Sequence, residues 1–140
     1  MVITFNWDDR EHTLLLIEYS DPWTWDEFFE TSGQIVEMAE GAGQPIDVIL
    51  DIRHSTPTPV FNPPARPDRA HRQLHQAMHD IFQHARTLVI VGANGLQSRL
   101  GEVAIAGMLH TLGLGIEVLA ASSLDQAYRL IGDRRRGVQL

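Results

Sequence analysis

The chain has 140 residues, a length that suits one domain with a substantial core and no need of cross-links. It contains no cysteine, which excludes disulfides, thiol catalysis and cysteine-ligated zinc or iron–sulfur centres. The formal net charge is −7 and every base is an arginine, so phosphate backbones are repelled overall and nucleic acid is not an expected partner.

The N-terminus, MVITFNWDDR, lacks the basic region and long apolar run of a leader, which sets a cytoplasmic location as the expectation. Residues 2–7 (VITFNW) and 13–19 (TLLLIEY) read as strands joined by a short polar turn, a hairpin. A helix start follows in SDPWTWDEFFE. Thr24 suits the N-cap and Glu27 stands three positions later, a capping box, while Trp23 and Phe28 occupy the positions of a hydrophobic staple. Trp25, Phe28, Phe29, Ile35, Val36 and Ala39 continue at helical spacing, and Gly41 or Gly43 ends the helix. Stacking on a ligand is the other use open to Trp23 and Trp25; core packing accounts for both.

Residues 46–53 (IDVILDIR) form a β-branched apolar run directly after a helix, as a central parallel strand does. Residues 54–67 hold five of the seven prolines and read as a long loop. A helix is predicted over 67–85, with Ala70, Leu74, Ala77, Met78, Ile81 and Ala85 as its stripe. Then come a buried strand at 86–93, a helix over 96–112, a last strand at 115–121 and a closing helix in SSLDQAYRLIGD, where Ser123 and Gln126 form a second capping box. The most apolar window, 103–121, is broken by Gly113 and Gly115, so no membrane span is expected. Arg134, Arg135 and Arg136 read as part of a short solvated tail over 133–140.

This order, β-β-α-β-α-β-α-β-α, predicts a single α/β domain: one mixed sheet of about five strands, made of an N-terminal hairpin and a parallel part, with about four helices. With the strand ending in Asp51, the LVIVGAN strand and the closing SLDQAYRLI helix, the chain resembles the STAS-like domains, relatives of the anti-sigma-factor antagonists, over about residues 2–132. The resemblance implies a non-catalytic regulatory module that binds another protein. In the phospho-switch members an Asp-Ser pair opens the second helix, and its serine is phosphorylated. Here DIRHSTPTPVFNPPARPDRA contains no such pair, and its hydroxyls, Ser55, Thr56 and Thr58, lie well before the helix. The fold is expected to carry over and the switch is not.

In an open α/β sheet, ligands bind beyond the C-terminal ends of the parallel strands. Asp51, Arg53, His54, Ser55, Thr56 and Thr58 lie at one such end, and Gly92, Asn94 and Gly95 at the next. Arg53 can hold an anion, and Ser55 or Thr56 can accept a phosphoryl group; a plain polar connection is the other use of this loop. Gly92-x-x-Gly95 before a helix can offer N–H groups to an anion, but G-x-G-x-x-G and a P-loop lysine are both missing. His71 and His75 are four apart on one helix and form the weak candidate for a metal; His79 is too far along the axis to share it with His71. No G-x-S-x-G or fixed carboxylate pair points to catalysis, and no cofactor is expected. The apolar, small-residue-rich helix over 96–112 suits a homodimer contact. A protein partner or second copy is therefore the first reading. A small-molecule or nucleotide sensor at Asp51 and Gly92 is the second, and a small enzyme on that edge the third.

Overall fold

A computed structural model describes residues 3–21, 23–55, 67–92, 103, 106–107, 109–110 and 112–137, with only the backbone of residues 67–71 and 74. Strand β1 (Ile3–Trp7) and β2 (Leu14–Ser20) form the expected hairpin. Asp9 holds its turn, accepting from the N–H groups of Thr13 and Leu14 and from the Thr13 hydroxyl. Four further elements follow in βα alternation: α1 (Trp25–Gly41), β3 (Ile46–His54), α2 (Pro67–Phe82) and β4 (Ala85–Val91). Strand β5 (Glu117–Ala121) and helix α3 (Leu124–Arg135) close the fold.

The five strands make one mixed sheet in the order β1-β2-β3-β4-β5. Only β1 is antiparallel to its neighbour; β2 to β5 run parallel. Three helices are complete among the described residues, and Val103, Ala106, Gly107, Leu109 and His110 between β4 and β5 are also helical. Leu112, the predicted end of helix 96–112, lies in a turn, and the rest of that segment is outside the described residues.

Alternation along the strands divides the core in two. On one face Leu15, Ile17, Val48, Leu50, Leu88 and Ile90 pack against Phe28, Ile35 and Ala39 of α1 and Met78, Ile81 and Phe82 of α2. On the other, Leu14, Leu16, Ile49, Val89 and Val91 meet Ala127 and Ile131 of α3. Covering both faces explains the consecutive apolar residues Val48–Leu50 of β3 and Leu88–Val91 of β4.

The α1 N-cap and staple are as predicted: Thr24 accepts from the Glu27 N–H at 3.1 Å, and the Trp23 and Phe28 rings lie 5.9 Å apart, while the Glu27 carboxylate of the expected capping box accepts from the Ile3 N–H. Gly43 is the terminator, at φ +67°, the left-handed position where a Cβ is strained. Thr31 and Ser32 are buried because their hydroxyls donate back to the carbonyl of Phe28, and Thr31 also to that of Glu27. Ser123 caps α3, but Gln126 reaches one residue further than a capping box requires and accepts from the Ser122 N–H at 2.8 Å.

Several boundaries differ from expectation, and β4 ends at Val91 rather than at residue 93. Helix α2 stops at Phe82, because Ile46 pairs with Ala85 and takes the His84 carbonyl, drawing both into the sheet; Ala85 is a strand residue, not part of the helical stripe. Strand β5 starts at Glu117, where Thr87 becomes its partner. The arginine run is no tail: α3 continues to Arg135, Arg134 pairs with Glu117, and Arg135 reaches buried Asp47. No described helix is long and apolar enough to cross a membrane.

Candidate functional site

Parallel pairing brings the exits of β3, β4 and β5 to one rim. Asp51 pairs with Val91, Val91 with Ala121, and the next amide, Gly92, donates to the Ala121 carbonyl at 3.1 Å. On the other side Ser20 pairs with His54, and the Asp21 N–H donates to the His54 carbonyl at 3.0 Å. Asp51, Arg53, His54, Ser55 and Gly92 therefore share this rim. Thr56, Thr58, Asn94 and Gly95 lie outside the described residues.

Asp51 is only 1% exposed, on the sheet face beneath α3. Arg53, two residues on and so on the same face, grips it in bidentate fashion: Nε donates to Oδ1 at 3.0 Å and Nη2 to Oδ2 at 2.9 Å. The Arg53 backbone N–H adds a third bond to Oδ1 at 3.1 Å. Burial alone would raise the Asp51 pKa, but the hydrogen bonds and positive charge of Arg53, with a smaller contribution from His54, hold it below the ordinary carboxylate value.

A carboxyl whose folded pKa lies below its unfolded value of about 3.9 stabilises the fold above that pH. The contribution disappears as pH falls through the lower, folded value. Arg53→Ala removes the guanidinium and leaves only the residue-53 N–H and His54 to oppose burial at Asp51. Its acid-unfolding midpoint, followed by circular dichroism, is expected to move up by about half to one pH unit, with a loss of about 2 kcal/mol at pH 7.

The opposite face of the rim is aromatic. Trp23 is buried, edge-on to Tyr19 at 5.4 Å and to Trp25 at 5.5 Å, and its Nε1–H donates to Ser55 Oγ at 2.7 Å. Burial, reinforced by the Glu27 carboxylate, pushes the Tyr19 hydroxyl pKa above its usual value. Trp23 thus both packs and fixes Ser55. Sequence reasoning found the packing and missed the bond, which spans 32 residues and has no local signal.

A second buried aspartate also escaped notice. Asp47, 2% exposed, accepts from Arg86 at 3.1 and 2.9 Å and from Arg135 Nε at 2.8 Å. Arg135 also donates to the carbonyl and hydroxyl of Thr13. The available signal was an acidic residue inside the apolar run IDVILDIR, which needs a partner to be buried.

His75 is half-buried, His79 lies 3.5 Å from Asp80, and the His71 side chain is outside the described set. Among the described residues no three His, Asp or Glu side chains are placed to share a metal. A cleft of about 480 Å³ lies at the far end of the strands, lined by Glu40, Gln44, Pro45, Gln83, His84 and Ala85. It is remote from the rim.

Compared with protein families, with curated proteins and with solved structures, the chain gave no match. Fold and rim define its class: an α/β domain with a single five-stranded mixed sheet and a polar, salt-bridged edge at the strand ends.

Proposed function

We propose that the chain is a non-catalytic, STAS-like regulatory module, cytoplasmic, that binds a protein partner through the rim around Arg53, His54 and Ser55. The strand order supports the kinship: an antiparallel β1, four parallel strands and a capped closing helix. Val103, Ala106, Gly107, Leu109 and His110, all helical, support a fourth helix between β4 and β5. Val103, 70% exposed, supports a contact between copies along it, which light scattering at high concentration tests.

One observation separates protein binding from the small-molecule reading. A ligand at this rim would draw on the Arg53 fork and the Gly92 N–H, and both are committed, to Asp51 and to the Ala121 carbonyl. What remains is a surface held in shape from behind, with His54 exposed on it. Such preorganised polar surfaces suit macromolecular contacts.

A photo-crosslinking residue at position 54, compared with one at exposed position 83 on the far side, tests this in the native host. A discrete protein adduct from position 54 alone, diminished by Arg53→Ala, is the expected result. Equal adducts from both positions, or none, overturn the proposal.

A further inference from the structure

We propose that the open edge of the sheet, strand β1, is a second docking site, which accepts a basic, extended segment of a partner protein as an added strand. This surface is distinct from the strand-end rim and does not depend on the function proposed for it.

The edge is read from its hydrogen bonds. Among the described strands β1 borders only β2. The Asp8 N–H donates to the Leu14 carbonyl at 2.8 Å, which makes those two residues a hydrogen-bonded antiparallel pair. By alternation Thr4 and Asn6 also face β2, while Ile3, Phe5 and Trp7 turn their N–H and C=O groups outward. One outward donor is already in use: the Ile3 N–H donates to Glu27 Oε2 at 3.1 Å, so a carboxylate occupies the place where an added strand would present a carbonyl. The outward groups of Phe5 and Trp7 have no partner among the described residues.

Beyond the Glu27 carboxylate on the Ile3 N–H, the sequence of Ile3–Trp7 does little to blunt this edge. The segment has no charge, no proline and no bulge in its pairing with β2. The Phe5 and Trp7 side chains are only partly buried, so they leave apolar surface for alternate side chains of an incoming strand.

Charge selects the occupant. Twelve of the eighteen acidic residues precede residue 52, but only one arginine, Arg10, does. That stretch builds β1, β2, α1 and β3. Helix α1 packs beside β1 and contains no basic residue; its exposed Asp26, Glu30, Glu37 and Glu40 fall within one arc at helical spacing. On the other face Glu18 stands beside Thr4, and Asp8 directly follows Trp7. Both flanks of the edge are acidic. Two copies joined β1 to β1 about an axis normal to the sheet would bring their acidic α1 helices side by side, which like-charge repulsion opposes. A segment carrying arginine or lysine is attracted instead.

The test uses the full chain and three short synthetic peptides: alternating arginine and valine, the same with glutamate for arginine, and the arginine peptide with alternate amides N-methylated. The arginine peptide is expected to bind at low salt and to slow hydrogen exchange at the Phe5 and Trp7 amides by about tenfold or more. The glutamate peptide is expected not to bind. N-methylation, or Glu30→Lys with Glu37→Lys in the protein, is expected to weaken binding by about tenfold. Methylating the peptide leaves the protein intact, so the outcome does not hinge on a β1 variant that fails to fold. Equal binding of the methylated peptide, no added protection at Phe5 and Trp7, or no binding overturns the proposal. So does a sedimenting dimer in which those amides are already protected.

Discussion

Trp23→Ala is expected to lower stability by about 3–5 kcal/mol, or roughly 10 °C in Tm for a chain of this length. The indole is 5% exposed and touches the rings of Tyr19, Trp25 and Phe28, so its removal opens a cavity that those rings cannot all close. It also removes the Nε1–H that the Ser55 hydroxyl accepts. The two contributions separate with Trp23→Phe, which keeps most of the packing and deletes the donor. That variant is expected to cost about 1 kcal/mol. Its distinctive readout is local: faster hydrogen exchange at residues 52–55 with the rest of β3 unchanged. Thermal unfolding and exchange mass spectrometry check both variants. If Trp23→Phe left the 52–55 amides as slow as before, Ser55 would not be held by the indole.

This bond shows where sequence reasoning ends. The hairpin, the three apolar strands and the α1 start were legible because each is a local pattern: alternation, a two-faced apolar run between turn signals, a cap with its staple. The rim was legible in outline for the same reason, since parallel strands flanked by helices place their C-terminal ends together. What each rim group does there was not. Arg53 looked available for an anion, yet two residues along a strand return a side chain to the same face, where Asp51 claims its fork. Ala85 suited the helical stripe, but pairing with Ile46 overrode helix propensity. The arginines at 134–136 had the composition of a tail, and contacts 88 and 122 residues away in sequence make Arg135 structural.

That contact carries the other large effect. Arg86→Ala combined with Arg135→Ala is expected to destabilise the fold by about 3–5 kcal/mol, more than Asp47→Ala does. The asymmetry follows from burial. Removing both arginines leaves the Asp47 carboxylate, 2% exposed, without either cation that balances its charge. Removing Asp47 instead frees two side chains that are 53% and 36% exposed and can turn to water, at a cost of about 2 kcal/mol. Adding Asp47→Val to the double variant removes the stranded charge and is expected to restore about half of the loss, because a β-branched apolar residue suits the centre of this sheet. Denaturant unfolding of the single, double and triple variants closes the cycle. Additive costs across the three positions would mean that Asp47 does not tie β3, β4 and α3 together, and that α3 is held by its packing and by the Arg134 and Arg135 contacts with Glu117 and Thr13.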